Sequence, residues 1–279
     1  MDQDLVPNNQ SVPHSGTRRR KLLIMIASIV GLFVLVGAAA VLWYINQPVP
    51  EEVSLKSAVA DVGATKPPAS EPTDATVTTM ESTITPAPSV VSIEGTWFVD
   101  TTLGEFSFED ATSSFVGFRI KEELATVGAT TAVGRTPVLT GSITLAGTTV
   151  AETSFAADLT EIVTNASRRN RAVQRALDTG SFPIATFVLT EPIQLDEVPD
   201  EGVPVSVAAV GTLEIRGVTQ QIEIPLETQL VGDLIVVVGA VDITFADWGV
   251  DMPTAPGVVS VEDHGILEIQ LFLTRGPTR

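Results

Sequence analysis

Residues Ser167 to Phe187 read S-R-R-N-R-A-V-Q-R-A-L-D-T-G-S-F-P-I-A-T-F. This stretch predicts one short helix running into a strand, inside a region that otherwise reads as β. Asn165 or Ser167 can cap the helix start, because a short polar side chain accepts a hydrogen bond from an orphan N–H. Gly180 can end it, since glycine takes the left-handed turn at little cost. At 100° per residue, Arg168, Arg171 and Arg175 fall in one stripe, while Ala172, Val173, Ala176 and Leu177 spread over the neighbouring face. Such a helix can lay its apolar side on a sheet and hold out a row of guanidinium groups. Phe182-Pro183 forbids further helix, and Ile184 to Thr190 is β-branched and apolar enough for a strand. Four of the twelve Lys and Arg residues that follow Lys21 are Arg168, Arg169, Arg171 and Arg175. That concentration marks a candidate site.

On both sides of this helix the pattern is short alternating runs punctuated by glycine. Before it, Glu105 to Phe108 alternates, Val116, Phe118 and Ile120 share a face, and Val138 to Leu145 and Thr149 to Leu159 are strand-like. After it come Ile184 to Thr190, Val203 to Ile215, Val218 to Leu226, Leu230 to Phe245 and Ile266 to Leu273. In the last run Leu267, Ile269, Leu271 and Leu273 point one way and Glu268 and Gln270 the other, as in a half-buried antiparallel strand. Arg216-Gly217 reads as a tight turn, because glycine accepts a positive φ there. Leu234 to Val238 is apolar without a break, so it is either covered on its outer face or lines an apolar cavity. About eight strands at this spacing, with one helix, predict a mainly β, antiparallel up-and-down barrel or sandwich. Eight strands can close around a filled core or around one small ligand.

The N-terminal third is different. Leu22 to Ile45 is 24 residues without a charge. At 1.5 Å per residue it would span ~36 Å, enough for a ~30 Å hydrocarbon core. Arg18-Arg19-Arg20-Lys21 precedes it, which places residues 1–21 in the cytoplasm, and Trp43 and Tyr44 suit the far interface. A cleaved signal peptide is the competing reading, with Ala38-Ala39-Ala40 as small residues for a peptidase. The apolar run is longer than a usual signal core and continues past those alanines, which favours a retained single-pass anchor. Either way the remainder is exported. Residues 46–92, rich in Pro, Thr, Ser, Ala, Glu and Val, read as a disordered linker reaching on the order of 40 Å.

Composition narrows the function. The absence of cysteine excludes disulfides, thiolate metal sites and a lipidated cysteine anchor. Two histidines, His14 and His264, make histidine-rich metal chemistry unexpected. The formal charge is −18, and the +2 of residues 1–21 leaves −20 on the rest. A body that acidic repels nucleic acid and other polyanions. Asp263 and His264 are adjacent on a strand, so they should face opposite ways and not pair as a catalytic base and its orienter. No catalytic residue, metal or cofactor is expected.

Four local patterns together resemble the YceI-like domain family. The first is Arg169-Asn170-Arg171, apolar Val173 and then Ser181-Phe-Pro-Ile-Ala-Thr-Phe187, similar to the family's basic helix followed by a Phe/Pro/Phe strand. Asn170 stands where an Asp is common. The second is Gly211-Thr-Leu-Glu-Ile-Arg-Gly-Val-Thr219, close to G-x-L-T-I-x-G-V-T. The third is Asp247-Trp248-Gly249, where members show D-F-G. The fourth is the alternating strand Val259 to Leu273. The likeness covers Ile93 to Arg275 and implies a lipocalin-like barrel at residues 93–275. It further implies a polyisoprenoid, an isoprenoid quinone or a similar amphiphilic lipid in an elongated apolar cavity, in the bacterial periplasm or outside the cell, with no catalytic activity. Burying one CH₂ is worth about 0.8 kcal/mol, so a five-carbon isoprene unit contributes on the order of 4 kcal/mol before ordering costs.

The expectation is a membrane-anchored binding protein with an extracytoplasmic barrel, able to be a homo-oligomer. Arg168, Arg169, Arg171 and Arg175 either hold a lipid head group or pair with the acidic surface. Phe182 and Phe187 are either core or cavity wall. Trp248 either packs beneath a turn or touches the ligand. The alternative function is a cell-envelope interaction module with a filled barrel and no lipid.

Overall fold

The computed structural model describes residues 49–65, 92–125, 128–252 and 257–276, together with position 36. The expected membrane span at residues 22–45 lies outside these apart from position 36. Among the described residues, no helix is long and apolar enough to cross a membrane.

The described residues from 49 onward build thirteen strands and two α-helices. Helix α1 is Leu55–Thr65. Strands β1 to β5 are Gly95–Val99, Phe115–Leu124, Gly128–Thr136, Leu139–Ala146 and Thr149–Asp158. Strand β6 (Val163–Thr164) leads into helix α2 (Ser167–Ala176). Strands β7 to β10 follow at Ile184–Leu189, Ile193–Gln194, Pro204–Ile215 and Val218–Val231. The last three, β11 to β13, are Leu234–Thr244, Val258–Val261 and His264–Arg275.

Eight of the strands form a closed antiparallel ring in the order β1, β4, β5, β7, β9, β10, β11, β13. The ring closes where Trp97, Phe98 and Val99 pair with Arg275, Thr274 and Leu273. Trp97 secures that short seam: its ring is buried, its indole N–H donates to the Ile93 carbonyl at 2.8 Å, and the Arg275 guanidinium lies 4.8 Å from the ring centre. The other half of the β13 edge, Ile266 to Gln270, pairs with Phe115 to Arg119 of β2. Strands β2, β3 and β6 therefore form a flap that branches from the ring.

Several expectations need correction. The segment 49–65, placed in a disordered linker, is folded onto the barrel. Ser54 starts α1 by accepting the Ser57 N–H at 3.2 Å. Leu55, Ala58 and Val62 then bury one helical stripe against Val236, Val238 and Phe272 on the outer barrel face. So among the described residues from 49 onward there are two helices where the barrel region was expected to hold one, and one compact unit runs from Val49. Residues 46–48 and 66–91 of the expected linker lie outside the described residues. Leu230 to Phe245 is not one strand: Gly232, at φ 57°, turns the chain between β10 and β11. Glu105 to Phe108 is loop, touching sheet geometry only at a Phe106–Ala111 bridge.

Leu234 to Val238 is apolar on both faces because both faces are buried. Ile235 and Val237 face inward, and Val236 and Val238 lie beneath α1. The alternation in β13 is also as read, with Leu267, Ile269, Leu271 and Leu273 turned inward. Its other face is not solvated, however: Glu268 is 1% exposed and Gln270 4%. The flap and the segment before α1 cover them. Glu268 accepts from Arg119 at 2.5 Å, from Arg135 at 3.2 Å and from the Val53 N–H at 3.3 Å. Arg119 and Arg135 also donate to the carbonyls of Pro50 and Glu51. Burial pushes the Arg135 pKa down, against the upward pull of Glu268.

Candidate functional site

Inside the ring lies a cavity of about 240 Å³. Strands β4, β5, β7, β9, β10, β11 and β13 all supply its wall, and Ile93, just before β1, completes the circle. The inward positions follow the pleat, as Leu139, Ile143 and Leu145 do on β4. Leu267 to Leu273 alone covers about 20 Å at about 3.3 Å per residue, so the space is elongated along the strands. Among the described residues, no ionisable side chain lines it, and the polar lining members are four threonines and Gln229. About 10–15 Å³ already suffices for one water, yet an apolar wall gives such waters few partners and favours an oily guest.

The four quoted patterns meet at one end of this cavity, and their glycines explain how. A Cβ on Gly211 would lie 2.5 Å from the Phe187 ring and from the Val188 carbonyl oxygen. A Cβ on Gly217 would lie 2.5 Å from the Phe182 ring. The Phe/Pro/Phe strand and the glycine strand beside it are therefore one packing unit. Arg216 and Gly217, at φ 54° and 71°, make the tight turn between β9 and β10. Trp248 ends a short 3-10 turn that Gly249 closes at φ 64°. Its indole N–H donates to the Leu213 carbonyl at 3.3 Å.

The expected site residues divide. Phe187 and Trp248 line the cavity. Phe182 is 38% exposed and does not. Helix α2 closes over this end, with Leu177 in the wall and Val173 packed against Phe118, Leu159 and Ile162. None of the four arginines reaches the cavity. Arg168, Arg171 and Arg175 are exposed and make no ion pair among the described residues. Arg169 instead ties α2 to the flap by pairing with Glu122, and it also meets Asn165. Asn170 likewise works within the fold, accepting from the Thr164 N–H at 2.8 Å and hydroxyl at 2.6 Å.

The ends of α2 differ from expectation. Its N-cap is Ala166, whose side chain has no acceptor to offer, and Asn165 is engaged with Arg169 instead. Asp178, at φ 47°, rather than Gly180, takes the left-handed turn. His264 and Asp263 do pair, at 3.1 Å, because β13 starts only at His264 and Asp263 lies in the bend before it. Both side chains are exposed, and neither residue lines the cavity. Beyond Phe187 and Trp248 no wall residue stood out in the sequence as a contact, although the alternation of β13 and the unbroken run of β11 carry the signature of the lining.

The model of the YceI-like domain matches residues 109–273. This chain belongs to the YceI-like domain family. Its barrel is similar to a polyisoprenoid binding domain from Saccharophagus degradans implicated in plant cell wall breakdown. The two are 20% identical over 66% of this chain and 99% of that one, at a TM-score of 0.51. BcnA of Burkholderia cenocepacia is 16% identical, covering 62% of this chain and 98% of its own, at 0.47. A Campylobacter jejuni YCEI protein is 16% identical over 51% and 84%, at 0.43. No curated protein matches. At these identities the likeness shows the YceI-like fold alone.

Proposed function

We propose that the YceI-like barrel binds a long apolar lipid, a polyisoprenoid or an isoprenoid quinone, outside the cytoplasm, and that residues 22–45 anchor it to the membrane that stores such lipids. The cavity carries this reading: an elongated apolar space inside a closed ring, walled by residues from every long strand. The polyisoprenoid named for the Saccharophagus domain supports the choice of lipid. A filled barrel, the alternative reading, has no room for this space.

In this account Phe187 and Trp248 touch the lipid tail. A charged head finds no counter-charge in the wall, so a phosphate stays outside, at the exposed row of Arg168, Arg171 and Arg175. Organic-solvent extraction of the purified full chain should release an isoprenoid lipid, and the emptied protein should bind added polyprenol or quinone. Finding no lipid and no binding would refute the proposal. Arg168→Ala with Arg171→Ala should weaken binding of polyprenyl phosphate while the protein stays folded. Unchanged affinity would assign these arginines to the solvated surface.

A further inference from the structure

One polar group in the cavity wall is left without a partner. Thr153 stands on β5 between Val150 and Phe155, opposite Ile143 of β4. It is 9% exposed, and its hydroxyl oxygen is buried with no hydrogen bond. Two other wall threonines are engaged: Thr136 accepts the Val138 N–H at 3.2 Å, and Thr228 donates to the Val205 carbonyl at 3.3 Å; the fourth, Thr186, is only half-buried. Among the described residues, the only other buried side-chain atom in this condition is the Arg135 Nε, which is not in the wall. A buried hydroxyl without a partner is destabilising, and a valine would fill the same space without that penalty. The unpaired hydroxyl is therefore a cost to the empty barrel, and in its present rotamer the oxygen is closed off from the cavity. A threonine presents its methyl or its hydroxyl to the same space by one χ1 rotation, so the oxygen can be turned toward a ligand.

We infer that Thr153 is a specificity residue that meets a neutral oxygen, an alcohol or a carbonyl, on the part of the lipid lying midway along the cavity. This rests on the lipid-binding reading above and narrows it. A charged oxygen is excluded there by the absence of ionisable groups in the wall. A pure hydrocarbon fills the space and leaves the hydroxyl unmet.

The test compares hexaprenol with squalene, isoprenoid chains of equal carbon count with and without a hydroxyl, on the full chain in detergent. One net hydrogen bond is worth about a five- to tenfold change in affinity. The wild-type protein should favour hexaprenol by that factor. Thr153→Val should abolish the preference while squalene affinity stays within about twofold, since the shape of the wall is kept. Thr153→Ser, which keeps the hydroxyl, should retain it. A preference that survives Thr153→Val, or equal binding of both lipids to the wild type, overturns the role of Thr153 and leaves lipid binding standing. Binding of neither lipid removes both readings.

Discussion

Glu268 shows how much a single side chain can depend on distant parts of the chain. Its position between Leu267 and Ile269 gives it the look of a solvent-facing strand residue. In the fold it neutralises one of two buried guanidinium groups, one of them 149 residues away in sequence. Two backbone carbonyls, of Pro50 and Glu51, take up further guanidinium N–H groups. The Arg135 side chain also stacks on Phe115 at 4.4 Å. Glu268→Ala would leave both arginines buried without a counter-charge. Breaking such a pair costs about 3–5 kcal/mol, read as a lower urea midpoint of unfolding. A loss below about 1 kcal/mol, the scale of an exposed pair, would show that water reaches the cluster. The carboxylate was plain in the sequence but its burial was not, because burial is set by the flap and the segment before α1.

At the scale of elements, legibility followed periodicity. Strand β13 was readable because Leu267, Ile269, Leu271 and Leu273 recur every second residue and face a real interior. The stripe of arginines on α2 was readable for the same reason, at a period of 3.6. Helix α1 escaped because Leu55, Ala58 and Val62 are only three positions beside a proline-rich stretch. Helix and barrel face need each other: α1 covers Val236, Val238 and Phe272, which would otherwise be an exposed apolar strip. Ala58 is fully buried at that contact. Ala58→Asp should therefore release α1 while the ring persists, because the seam and the inner wall do not involve it. Limited trypsin digestion at Lys56 should then accelerate about tenfold or more, with the β signal in circular dichroism kept. Unchanged cleavage would mean that α1 is held by other contacts.

At the scale of the molecule, the eight-stranded closure was within reach of strand count and spacing, but the interior was not. The inward residues of the ring are the same leucines, isoleucines and valines that a solid core would use. Only their placement around an open axis distinguishes a container from a packed barrel. The glycine pattern at 211–219 hinted at more, since Gly211 and Gly217 admit the rings of Phe187 and Phe182. Yet only Phe187 faces the space within, while Phe182 sits on the outside. The strong charge asymmetry likewise marked α2 without revealing that its arginines stay outside the wall. Native mass spectrometry of the full chain, purified from its native source in mild detergent, weighs the protein together with anything it holds. The account predicts one lipid of isoprenoid mass per chain, and a protein mass with nothing bound, unchanged after incubation with polyprenol and quinone, would contradict it.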